Sequence, residues 1–101
     1  MNRENGRIYV MLTGQLENVP QMRVGPDGRP FAVGTFALRN RLNQTPERWF
    51  RLLFFAGQAE RIALSGKRGM WLEVHGWLVN RQGKEITVER FRELSVSPME
   101  R

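Results

Sequence analysis

Between Trp49 and Arg81 the sequence reads WFRLLFFAGQAERIALSGKRGMWLEVHGWLVNR, interleaving tryptophan, phenylalanine and arginine in strand-like segments on either side of one short helical stretch. The chemistry open to such residues is non-covalent. Aromatic faces stack on nucleobases and guanidinium groups neutralise phosphates, a combination that holds single-stranded nucleic acid without reading its sequence. Trp49 and Phe55 are six residues apart, so on an extended strand they share a face with Arg51 and Leu53. Burial in the core is the other role open to both rings, and Phe55 sits beside Phe54 in an apolar pair.

Covalent and metal chemistry find no residues to work with. The chain has no cysteine and one histidine, His75, and no clustered carboxylates, so neither a zinc site nor a nucleophile, base and acid set can be completed. Gly66-Lys67-Arg68 superficially suggests a phosphate loop. However, position 61 is Arg where that motif needs Gly, position 68 is not Ser or Thr, and the segment ends a helix instead of starting one. A non-enzymatic protein without metal or cofactor is expected.

Sixteen Lys and Arg against ten Asp and Glu give a formal charge of +6, which favours polyanionic partners. Arg23, Arg39, Arg41, Arg48 and Arg51 are candidate contacts to a nucleic-acid backbone. Lys67, Arg68, Arg81 and Lys84 extend that set along the later loops. Absence of cysteine suits the cytosol, no apolar run reaches membrane-spanning length, and MNRENGR lacks the apolar segment of a signal peptide. A cytoplasmic protein with no membrane contact is expected.

The elements that must position these side chains are short strands. Ile8 to Leu16 alternates Ile8, Val10 and Leu12 against Tyr9, Met11 and Thr13, interrupted by Gly14 where a bulge or barrel-corner bend belongs. Asn18 to Pro30 is so rich in turn formers that no regular element is expected, with Pro26-Asp27-Gly28 as a hairpin tip. Phe31 to Asn40 reads as a second strand, with Gly34, Phe36 and Leu38 on one face and Thr35, Ala37 and Arg39 on the other. After a loop over Leu42 to Pro46, Arg48 to Phe55 is a third strand apolar enough to suggest that both faces are covered.

Gln58 to Ser65 spaces Ala59, Ile62 and Ala63 as a two-turn helix, with Gly66 as its C-terminal glycine. Met70 to Asn80 is a fourth strand, with Leu72, Val74, Gly76 and Leu78 inward and Trp71, Glu73, His75 and Trp77 outward. A compact turn at Arg81-Gln82-Gly83-Lys84 leads to a fifth, Glu85 to Leu94, in which Phe91 breaks parity as a bulge would produce. Residues 95–101 are expected to fray. Five strands with one helix between the third and fourth is the order of an all-β OB-fold, a Greek-key barrel filling the chain as one domain.

On those residues the chain resembles the bacterial single-stranded DNA-binding protein family. VMLTGQLENVPQMR resembles its first strand, PDGRPFAVGTFAL its hairpin, ERWFRLLFFAGQAERI its Trp-bearing third strand and helix, and KRGMWLEVHGWLVNR its fourth strand. Trp49, Phe55, Ala59, Glu60, Gly69 and Gly76 keep the family spacing as a set. The resemblance implies stacking roles for Trp49 and Phe55 and basic contacts at Arg23 and Arg51, on single-stranded DNA with RNA left open. It also implies a homo-oligomer, dimer or tetramer, acting in DNA replication, recombination or repair. Two exposed tryptophans would be a costly patch on a monomer, and the resemblance puts the stripe of Trp71, Glu73, His75 and Trp77 near a contact between dimers, with Phe50 also at an assembly position.

The chain departs from the family in two respects. The family usually continues past the barrel into a flexible tail with an acidic, Phe-ended tip, whereas this chain stops at Ser97-Pro98-Met99-Glu100-Arg101, as a separately cut core or a tail-less branch would. Two further stacking tryptophans, one after the second strand and one in the hairpin joining the fourth and fifth, have no counterpart, so a smaller site or weaker binding per subunit is expected. Two rival readings keep the same fold. One is a primosomal replication protein bridging DNA and helicase-loading or restart proteins. The other is an OB domain whose aromatic stripe binds only protein.

Overall fold

The computed structural model describes residues 8–39, 46–79 and 84–94. The alternation at the start of the chain becomes β1 (Ile8–Leu16), whose Val10, Leu12 and Leu16 turn toward the core while Tyr9 and Met11 stay exposed. Then come β2 (Gln21–Val24), β3 (Pro30–Arg39), β4 (Pro46–Phe55), α1 (Ala56–Ser65), β5 (Trp71–Leu78) and β6 (Glu85–Leu94). Hydrogen bonding runs β1-β5-β6-β4-β3, and β3 returns to β1, closing a five-stranded barrel. All pairings are antiparallel except β4 with β6, where Arg51–Leu53 runs parallel to Glu85–Thr87.

Closure depends on β1 serving two partners. Gly14 and Gln15 are paired on both sides, to Leu38 and Ala37 of β3 and to Leu72 and Trp71 of β5. A Cβ at Gly14 would lie 2.3 Å from the Ala37 carbonyl oxygen, so only glycine lets the strands meet at this corner. The bulge expected in the last strand is present. Register between β5 and β6 shifts between His75 and Gly76, and two successive exposed residues, Glu89 and Arg90, separate buried Val88 from buried Phe91.

The core gathers Leu16, Phe36, Leu52, Phe54, Leu72, Val74, Ile86 and Phe91, capped by Ala59 and Ile62 of α1. A fully buried side chain of this size contributes about 1.5–3 kcal/mol. That fixes the parity of β4, because a one-residue slip would remove Phe50, Leu52 and Phe54 from the core and bury Arg51. The polar face of α1 is tied to β6. Gln58 Nε2 donates to the Glu89 carbonyl at 2.7 Å, Arg61 donates to the Phe91 carbonyl at 3.3 Å and covers the Phe91 ring at 4.3 Å, and Ser65 donates to the Glu93 carboxylate.

Four expectations are revised. The turn-rich segment does contain an element, β2, because Pro20 and Pro26 bracket residues that can pair; Gln21–Val24 lies exposed against Pro30–Val33 as a sixth strand outside the barrel. Its hairpin tip is where the sequence puts it, closed by Gly28 N–H donating to the Gly25 carbonyl at 2.9 Å, with Gly28 at φ 83. The helix begins at Ala56, two residues early, with Ala56 at φ 55. Gly66 does follow the helix, but with extended backbone (φ −70, ψ 140); its small size matters because a Cβ would lie 2.6 Å from the Ile62 carbonyl oxygen and 2.9 Å from Pro20.

The fourth revision bears on function: β4 is covered on one face only. Even-numbered Phe50, Leu52 and Phe54 fill the barrel, whereas Trp49 (52% exposed), Arg51 and Phe55 (43% exposed) stand on the outer surface.

Candidate nucleic-acid interface

Strand register determines what surrounds that outer row. Across β3, Trp49 faces Ala37, Arg51 faces Thr35, Leu53 faces Val33 and Phe55 faces Phe31. Beyond β3, Val33 neighbours Gln21 and Phe31 neighbours Arg23 of β2. On the other flank, Arg51 pairs with Glu85 and Leu53 with Thr87 of β6. Pleating puts all of these side chains on one side of the sheet.

Three adjoining clefts follow the row. The first, about 330 Å³, is lined by Thr35, Trp49, Phe50, Arg51, Lys84 and Glu85. The second, about 610 Å³, shares Thr35, Arg51 and Glu85 with the first and continues through Asn18, Gln21, Arg23, Val33 and Leu53 to Phe31. From Phe31 the third, about 660 Å³, passes Phe55 and Ala56 to the β2–β3 hairpin at Gly25, Pro26, Asp27, Arg29 and Pro30. Six residues of extended strand span roughly 20 Å between the two aromatic ends. The Phe31 and Phe55 rings lie 5.9 Å apart at 27°, stacked into one platform.

Charge along the track is mixed. The Arg51 guanidinium is 3.7 Å from the Glu85 carboxylate, an ion pair in which Arg51 is 66% exposed and Glu85 26%. At that distance and exposure the pair is worth at most about 1 kcal/mol, leaving Arg51 available to a competing anion. Arg23 meets Gln21 at 3.4 Å, and Arg29 is held by Asp27, which accepts its backbone N–H at 3.0 Å and lies 3.7 Å from its guanidinium.

No protein-family model matches the sequence, and no curated protein matches it. Many solved structures share its architecture, among them two described as single-stranded DNA-binding proteins. A small single-stranded DNA-binding protein from Streptomyces coelicolor superposes with a TM-score of 0.77 at 20% identity, over 94% of this chain and 96% of the other. A mitochondrial single-stranded DNA-binding protein from S. cerevisiae superposes with a TM-score of 0.73 at 13% identity, over 86% and 93%. The chain has an OB fold. Closure through a parallel β4–β6 pair and the helix entering between the third and fourth barrel strands satisfy that topology, with β2 as an addition.

Of the expected contact residues, the OB barrel brings Trp49, Arg51, Phe55, Arg23 and Lys84 together along the clefts. Arg48 is exposed, but its parity turns it from the track; its guanidinium sits 5.4 Å from the Phe50 ring centre, at the barrel end. Lys67 and Arg68 are exposed in the loop after α1 and line none of the three clefts. Arg41 and Arg81 lie outside the described residues, as does the side chain of Arg39 at the end of β3. The track also recruits residues that composition alone did not single out, namely Phe31, Thr35 and Glu85. Strand register was the signal for Phe31, since an aromatic opposite Phe55 must share its face.

A second wall of the barrel, formed by β1, β5 and β6, carries the aromatic stripe. Trp71, Glu73, His75 and Trp77 face outward on β5, yet each is partly covered, so these tryptophans are not the open patch expected. Tyr9 covers Trp77 edge-on at 4.8 Å and donates its hydroxyl to Glu89 at 2.5 Å; that bond raises the Tyr9 pKa. Glu73 Oε1 is 3.4 Å from His75 Nε2 and 3.3 Å from the Arg92 guanidinium, and the His75 contact first, then Arg92, holds its carboxyl below the usual range. Met11, 67% exposed, stands opposite His75. Phe50, expected at an assembly contact, belongs to the core at 5% exposure, because its even parity on β4 aims it into the barrel. Among the described residues no three His, Asp or Glu side chains are grouped to hold a metal ion.

Proposed function

We propose that this chain binds single-stranded DNA largely without regard to sequence, laying the strand along the outer face of β4 from Trp49 to Phe55. One observation carries the reading: two exposed aromatic platforms, Trp49 at one end and Phe31 with Phe55 at the other, are joined by clefts holding Arg51 and Arg23. Bases stack on the rings while phosphates meet the guanidinium groups, the division of labour by which sequence-tolerant proteins hold a single strand. The two similar structures, both described as single-stranded DNA-binding proteins, support the same reading. A protein of this kind protects strands opened in replication, recombination or repair, and it works by binding rather than by catalysis.

The β1-β5-β6 wall is the surface we assign to self-association, as a dimer or tetramer. Its support is the concentration of Tyr9, Met11, Trp71 and Trp77 on one side of the barrel, away from the track. Titration with oligo-dT at low salt tests the main proposal, because a base stacked on Trp49 quenches its fluorescence. Quenching that is lost in Trp49→Phe, while that variant still binds, is the expected result. An unquenched wild-type protein that shows no shift in anisotropy of labelled oligo-dT overturns it.

A further inference from the structure

The track contains a feature that a site for a polyanion does not need. Glu85, at the start of β6, is the carboxylate that lines both the first and second clefts, beside Trp49, Thr35 and Arg51. Its register pairing with Arg51 fixes it in the middle of the row, not at its edge. A negative charge there weakens phosphate binding, so its chemistry must serve another part of the nucleotide.

We infer that Glu85 forms a base subsite beside Trp49 that favours bases carrying an exocyclic amino group, cytosine above all, over thymine or uracil. The inference rests on the proposed binding of single strands along this face. Its geometric basis is a difference in depth. Arg51 projects, with two thirds of its side chain exposed, whereas Glu85, 3.7 Å away in the same cleft, is recessed at 26% exposure. A strand crossing this point meets the cation at the rim and the carboxylate at the floor. Its phosphate is drawn to the rim, and a base laid on the Trp49 ring turns its edge over the floor.

An ionised carboxylate only accepts hydrogen bonds. Cytosine offers its N4 amino group, a donor that Glu and Asp side chains accept from in base recognition. Thymine and uracil present two carbonyl oxygens flanking a single N–H, and those oxygens face the carboxylate unfavourably. Thr35, on the same cleft, supplies a donor for a neighbouring ring acceptor. The subsite therefore adds a local preference to a track that elsewhere tolerates any base.

Competition between oligo-dC and oligo-dT of equal length tests this, read as the ratio of their affinities in wild type and Glu85→Gln. The amide can both donate and accept, so the dC-over-dT ratio should fall by about fivefold, the lower range of discrimination by a side chain on a base edge. Removing a negative charge strengthens both polymers alike, and the ratio cancels that gain. With the wild-type protein, an oligomer of 2-pyrimidinone nucleotides, cytosine without its amino group, should bind about fivefold more weakly than oligo-dC. An unchanged ratio in the variant together with equal binding of the two pyrimidines overturns the subsite while leaving strand binding intact. Failure of the wild type to bind any of the oligomers overturns the parent proposal and the subsite with it.

Discussion

At the scale of single residues, function divides by parity along one strand. Trp49, Arg51 and Phe55 face out and Phe50, Leu52 and Phe54 face in, so neighbours in sequence occupy unrelated surroundings. Trp49→Ala should weaken binding of both oligo-dT and oligo-dC, by the ~1–3 kcal/mol that one stacked base is worth, with oligo-dC also losing the contact to Glu85 that the stacked base makes. Phe31→Ala should cost a similar amount, since its ring forms half of the platform with Phe55; wild-type affinity in a folded Phe31→Ala protein would remove that end of the track. Phe50→Ala provides the contrast. It empties a core position and should lower unfolding free energy by about 3–5 kcal/mol, measured by denaturant titration. A normally stable Phe50→Ala protein that dissociates into smaller species would instead return Phe50 to an assembly role. The outward row of Trp49, Arg51 and Phe55 was legible in the sequence because period-two spacing orders one strand's side chains. Phe31 and Glu85 were not, because each joins the clefts only through pairing with β4, and Arg48 lies away from the clefts because its parity on β4 is opposite to that of Arg51.

At the scale of elements, the β5–β6 pair carries an electrostatic cluster whose behaviour with pH follows from its geometry. Glu73 lies between His75 on its own strand and Arg92 opposite, and both contacts favour its ionised form. Because its folded pKa is lowered, this carboxylate contributes stability above the ordinary carboxylate range, and that contribution is lost as pH falls through the folded value. Melting temperatures of wild type and Glu73→Gln should therefore differ at neutral pH and converge on acidification. A gap that stays constant down to strongly acidic pH would mean that the variant perturbs packing, not charge. Most elements could be read from hydropathy alternation and turn residues, including the corner at Gly14 and the bulge near Glu89. β2 could not, since its polar and apolar alternation runs for only four exposed residues inside a segment dense in turn formers, and its structure comes from pairing with β3. The outer face of β4 was misjudged for a related reason. A strand that exposes aromatic and aliphatic side chains on one face shows the same unbroken apolar run as one buried on both sides.

At the scale of the whole molecule, charge is spread widely while the binding track is narrow, and salt dependence separates the two. A formal charge of +6 favours polyanions in general, but only cations that displace counterions from phosphates enter the slope of affinity against salt. For single strands each such contact contributes about −0.7 to the log–log slope. Arg23 and Arg51 line the clefts, whereas Lys67 and Arg68 lie beyond them in the loop after α1. Arg23→Ala should thus make the slope shallower by about 0.7, the loss of one phosphate contact. The double variant Lys67→Ala with Arg68→Ala removes twice as much charge, and its slope should stay at the wild-type value. Anisotropy titrations of labelled oligo-dT over a series of salt concentrations measure both. If the double variant flattens the slope more than Arg23→Ala does, the strand wraps past the end of α1, and the track defined by β2, β3 and β4 describes only part of its path.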